Sequence, residues 1–137
     1  MKKTIRDSIH AAFSLHEMDI IALEINGREL IIRTQSRTIR STAADRPVEG
    51  YVEFQGVDWG YCYIYLFDSS GNVGPFGGEK KYLIHFMDER KGISFTVQSE
   101  VYGQNRTKYF GHLLTGGRRL ECIIDIYHEG DMVFVHE

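Results

Sequence analysis

Five arginines fall between positions 28 and 46, at Arg28, Arg33, Arg37, Arg40 and Arg46, with only Glu29 and Asp45 against them. Forked guanidinium groups match the paired oxygens of carboxylates and phosphates, so Arg33, Arg37 and Arg40 could clamp a small anion. A plain solvated connection would have the same composition. The second group is aromatic. Trp59, Tyr61, Tyr63 and Tyr65 stand at alternate positions, and Phe76 sits in the glycine-rich stretch 69–78 that follows. Rings at a two-residue period share one face of a strand, where they could anchor a partner protein or stack on a small ligand.

Other chemistry fails on spacing. His10 and His16 are six apart, which turns them about 120° from a shared helical face. His85, His112, His128 and His136 are scattered, with no cysteine or carboxylate at zinc spacing, so no metal or cofactor is expected. Cys62 has no lysine or arginine within ten residues to lower its pKa. The glycine-rich stretch ends in Glu79-Lys80-Lys81 rather than opening a helix, unlike a phosphate-cradling loop. Only His112 and His128 with Asp125 or Glu129 offer a loose acid–base set. An enzyme is therefore the third choice among function classes.

Arg33-x-x-x-Arg37 followed by Asp68-x-Ser70 resembles, in two short patches, the PilZ cyclic-di-GMP domains. These are small barrels that hold the dinucleotide with Arg-x-x-x-Arg and Asp/Asn-x-Ser-x-x-Gly. Here position 73 is Val and the glycine falls at Gly74, so the second motif is incomplete and membership is not assumed.

The elements that must position these residues read mainly as β. Eight Tyr, eight Phe and one Trp in 137 residues favour pleated, half-buried surfaces. Ile5, Ile9, Ala12, Phe13 and His16 fall on one helical face, which predicts one amphipathic helix over 3–16. From 19 onward the period is two. Asn26-Gly27 predicts a hairpin between 19–25 and 28–34 with Leu23 opposite Leu30 and Ile21 opposite Ile32. Residues 35–47 are polar and read as an exposed connection. Further strands are predicted at 48–56, 61–68, 81–88, 92–101, 107–114, 119–128 and 132–136. The expected architecture is a single domain, 1–137. It is a single antiparallel β-barrel or two-sheet sandwich of about eight to nine strands with one N-terminal helix, the meander running over 19–136.

Pairing 61–67 with 81–88 separates an aromatic face (Tyr63, Tyr65, Phe67) from an aliphatic one (Cys62, Ile64, Leu66). Net charge is −3, with bases in excess before position 46 and acids in excess after it, which argues against nucleic acid as the main partner. No run approaches the ~20 apolar residues that span a bilayer, so no membrane partner is expected. Cys62 and Cys122 sit in apolar runs, as free thiols do in a reducing cytoplasm; export would instead permit one bridge between them. The expected function is a non-catalytic cytoplasmic binding protein, inhibitor- or immunity-like, acting through an aromatic interface with a protein partner or with itself. The alternative is a barrel holding a small anionic or nucleotide-like ligand.

Overall fold

The computed structural model describes residues 1–6, 11–68, 77–90 and 92–137. Positions 7–10, including Ile9, and 69–76, including Phe76, lie outside the described residues. Strand alternation dominates the rest, and twelve strands form one antiparallel sheet.

The N-terminal helix is not what forms. Lys2–Ile5 (β1) pairs with Met132–His136 (β12), and Phe13–Ser14 (β2) pairs with Thr38–Ser41 (β5). A helix this short is marginal in water without a packed face. The β12 edge supplies backbone partners instead, and the Thr4 hydroxyl meets His136 Nε2 at 2.8 Å. Ile5, placed by its spacing on a buried face, is 58% exposed. The connection read over 35–47 also contains structure. Ile39 of β5, its lone isoleucine, is fully buried, and β5 pairs with the start of Arg46–Phe54 (β6).

Asp19–Asn26 (β3) and Glu29–Thr34 (β4) form the expected hairpin in a different register. The turn residues are Gly27 and Arg28, so Ile25 faces Leu30 and Leu23 faces Ile32. Gly27 has φ +62°, the positive first turn position that a glycine takes without steric cost. A bulge at Ile21 then reverses the side-chain alternation: Ile20 is fully buried and Ile21 is 41% exposed.

Tyr63–Asp68 (β7) pairs with Gly77–Tyr82 (β8), with Tyr63 opposite Tyr82 and Tyr65 opposite Lys80. The strand expected at 81–88 is instead a helix, Leu83–Glu89 (α1). Leu83, Phe86 and Met87 stand at i, i+3 and i+4, and Leu83 and Phe86 are buried. Over so short an apolar run the helical and strand periods are hard to separate. Phe95–Tyr102 (β9), Arg106–Thr115 (β10) and Arg118–Tyr127 (β11) complete the set.

The path runs β1-β12-β6-β4-β3-β9-β10-β11-β7-β8, with β5 and β2 branching from β6. Closure into a barrel would need β1 and β8 to pair with each other, but they stand at opposite ends of the path, so the expected barrel or two-sheet sandwich of eight to nine strands gives way to one open sheet. The sheet curls over its own core instead. The Phe54 ring on β6 meets Tyr109 on β10 at 6.4 Å, and Val57 bridges to His128. Both edges carry lysines (Lys2 and Lys3 on β1, Lys80 and Lys81 on β8), the charges that discourage edge-to-edge association.

Candidate interaction surface

The sheet beyond β9 has one face in the core and one outside. On the inner side Cys62, Ile64, Cys122, Ile124, Ile126, Tyr109 and Leu113 are at most 1% exposed. The outer side can be laid out from the registers, because residues opposite each other share a face. One row across the strands is Tyr82, Tyr63, Asp125 and Lys108. The next is Lys80, Tyr65, Ile123 and Phe110, and the next Gly78, Phe67, Glu121 and His112. Before the first row lie Tyr127 and Arg106, paired across β11 and β10.

The rings form a continuous group. Tyr82 to Tyr63 is 5.4 Å between centroids, Tyr63 to Tyr65 6.3 Å, and Tyr65 to Phe67 6.5 Å with ring planes 7° apart. Tyr61, 56% exposed, forms a second ring pair with Tyr127 at 5.6 Å. The Lys80 ammonium lies 4.0 Å from the Tyr63 centroid and 5.7 Å from that of Tyr65, an attraction of ring quadrupole for cation. At the far end a recess of about 230 Å3 opens among Phe67, Phe110, Ile123 and Glu121.

One ion pair anchors this face. The Asp125 carboxylate, 3% exposed, accepts a 2.7 Å bond from Arg106 Nη1, and the Arg106 guanidinium lies 5.2 Å from the Tyr127 ring centroid. Asp125 thus sits on the aromatic side without leaving a bare charge there.

Of the sequence-predicted residues, Tyr63 and Tyr65 come together, while Tyr61 packs on Tyr127. Trp59 does not join them: it sits in the 3-10 turn Trp59–Tyr61 and donates its indole N–H to the Gly27 carbonyl at 3.2 Å. The arginines do not form one clamp. Arg33 donates to both Glu24 oxygens at 2.9 and 3.0 Å and lies 4.6 Å from the Tyr51 ring. Arg33 and Arg37 line a recess of about 400 Å3 with Tyr51 and Glu49. Arg40 reaches Asp45 at 3.6 Å and lines a different recess. Sequence reasoning missed Phe110, Ile123, Lys80 and Tyr127, because their place depends on pairings across β8, β10 and β11 that no local pattern specifies.

The loose acid–base residues do not converge. His128 is 3% exposed, with Nδ1–H donating to the Gly130 carbonyl and Nε2 accepting from Thr107, each at 3.0 Å. His112 Nδ1 meets an Arg119 guanidinium nitrogen at 3.1 Å, while Asp125 is committed to Arg106. Both cysteines are buried free thiols. Burial pushes Cys62 up to about 11 and Cys122 up to about 12, which leaves them protonated and unreactive at neutral pH. Among the described residues no three histidine, cysteine or carboxylate groups cluster as metal ligands would, and no helix is long and apolar enough to cross a membrane. Comparison with family models, with curated proteins and with solved structures finds no match.

Proposed function

We propose that this chain is a non-catalytic binding protein that acts through the outer aromatic face of β7, β8, β10 and β11, and that it self-associates there. The observation that carries the reading is the continuous ring group Tyr82, Tyr63, Tyr65 and Phe67, with a second ring pair Tyr61–Tyr127 packed by Arg106, on the side of the sheet turned away from the core. Tyrosine is suited to such a role because it offers a large rigid area and a hydroxyl that tolerates a wet rim. Three of the charges on this face are already engaged, Arg106 with Asp125 and Lys80 with the tyrosine rings, while Lys108 and Glu121 stand toward its far side from β8. Two unbridged buried thiols fit a reducing compartment such as the cytoplasm.

The test is native mass spectrometry and light scattering of the wild type and of the double variant Tyr63→Ser, Tyr65→Ser. The wild type should appear as a discrete multimer, and the variant as a folded monomer with an unchanged circular dichroism spectrum. A wild type that stays monomeric at high micromolar concentration, or a variant with unchanged mass, removes self-association from the reading.

A further inference from the structure

The hairpin β3–β4 extends past the point where its neighbour β9 leaves it. β3 pairs with β9 only at Asp19 and Ile20, and the last link between them is the Ile93 amide donating to the Ile21 carbonyl at 3.2 Å. Beyond that point β3 is bonded on one side only. The two-residue turn makes Asn26–Glu29 a hydrogen-bonded pair, and antiparallel bonding alternates. Glu24 therefore bonds to Ile31, while the N–H and C=O groups of Leu23 and Ile25 point away from β4. Among the described residues nothing bonds to them.

A recess of about 360 Å3 lies along this open edge, between β3 and the C-terminal end of α1. Leu23, Phe86, Met87 and Ile93 give it an apolar wall, and Arg90 stands on its rim. Arg90 is held in place by a 2.7 Å bond from Nη1 to the Thr115 hydroxyl and by the Phe86 ring at 4.9 Å. No carboxylate among the described residues forms an ion pair with it. The edge thus presents two amide N–H groups, two carbonyls, an apolar wall and one positioned cation with no ion-pair partner among the described residues; Glu24, which also lines the recess, is paired with Arg33.

We propose that the β3 edge is a strand-addition site for an extended segment of a partner polypeptide. That segment would be apolar at alternate positions and would carry an acidic side chain to meet Arg90. Its backbone would pair with Leu23 and Ile25, one set of alternate side chains would enter the recess, and the carboxylate would bond to the guanidinium. Main-chain pairing supplies affinity in this mode and the wall and the cation supply selectivity. The site lies apart from the aromatic face and does not depend on it.

The probe is a capped hexapeptide alternating threonine and valine and ending in glutamate, with binding followed by NMR shifts of the β3 amides. Before any peptide is added, the Leu23 and Ile25 amides should exchange with solvent at least a hundredfold faster than those of Glu24 and Asn26. The peptide should shift and protect them. N-methylation of the peptide's alternate amides should weaken binding at least tenfold, as should Ile25→Pro, which removes an outward N–H that the hairpin does not use. Arg90→Gln should weaken the glutamate peptide about fivefold and leave its glutamine analogue unchanged. Leu23 and Ile25 amides already protected in dilute free protein, no binding at millimolar peptide, or indifference to N-methylation would each overturn the proposal. Protection that rises with protein concentration alone would assign the edge to a second copy and overturn it as well.

Discussion

Two buried side chains define what single residues do to stability here. The Tyr109 hydroxyl is fully buried and has no hydrogen-bond partner among the described residues. An unsatisfied buried donor costs about 1–3 kcal/mol, so Tyr109→Phe should leave stability unchanged or raise it by about 1 kcal/mol, read from urea midpoints. A loss above 1 kcal/mol would mean that the hydroxyl has a partner in solution. His128 works in the opposite sense. Burial lowers its pKa below the ordinary 6.5, and the Gly130 carbonyl only partly offsets this. The folded state therefore holds the ring neutral, and the unfolded state takes up a proton first as pH falls. The contribution of His128 is complete above about pH 6.5 and disappears as pH drops through the lowered folded value. Wild type should lose stability between pH 7 and pH 5 by more than His128→Gln does; equal slopes would assign the acid sensitivity to other groups.

At the scale of elements, bulges decide which side chains face inward. Between β9 and β10 the register shifts at Phe110/Gly111, so that Phe110 faces Ser99 while Gly111 faces Val97. A strict two-residue alternation from Phe95 and Val97 sends Val101 to the core and Glu100 to water. With one residue bulged out the result is reversed: Val101 is 50% exposed, and the Glu100 carboxylate accepts from the Ser14 hydroxyl, the Leu15 amide and the Tyr102 hydroxyl. The bulge in β3 does the same to Ile20 and Ile21. Gly111 permits the close approach: a methyl group there would lie 1.9 Å from the Thr96 carbonyl oxygen. Gly111→Ala should cost about 3 kcal/mol or more, since the obstacle is backbone and cannot swing aside. A chemical melt within 1 kcal/mol of wild type would show that the strands can separate at little cost.

These bulges also show where legibility ends. The β3–β4 hairpin, the 132–136 strand and the inward set Cys122, Ile124 and Ile126 are local patterns that the sequence carries openly, whereas the hairpin turn lies one residue later than Asn26-Gly27 implies. The aliphatic and aromatic sides of β7 follow from alternation alone, which is why Tyr61, Tyr63 and Tyr65 could be singled out. Lys80, Ile123 and Phe110 could not, because a face that crosses four strands depends on register and not on period. The segment 83–89 failed for another reason. Its apolar residues suit both periods, and what favours the helix is the seat it finds for Leu83 and Phe86 in the core.

For the whole molecule, the order of strands in space matters more than their order in the chain. One core gathers side chains from β3 to β12, yet the sheet is assembled from hairpins joined by distant pairings, such as β4 and β12 on either side of β6, and β7 beside β11. Hairpins of this kind can form early from local sequence, whereas the long-range pairings must wait for loop closure. In pulse-labelled refolding the amides of β3–β4 and β10–β11 should gain protection first and those of β1 last. Early protection of β1 would instead place the two ends of the chain in the folding nucleus.

The pairing of β1 with β12, Lys2 beside His136 and Ile5 beside Val133, has a consequence during synthesis. Synthesis runs from N- to C-terminus, so β1 leaves the ribosome well before β12 and lacks this lateral partner until β12 follows. Over that interval its two lysines act against pairing with other nascent chains.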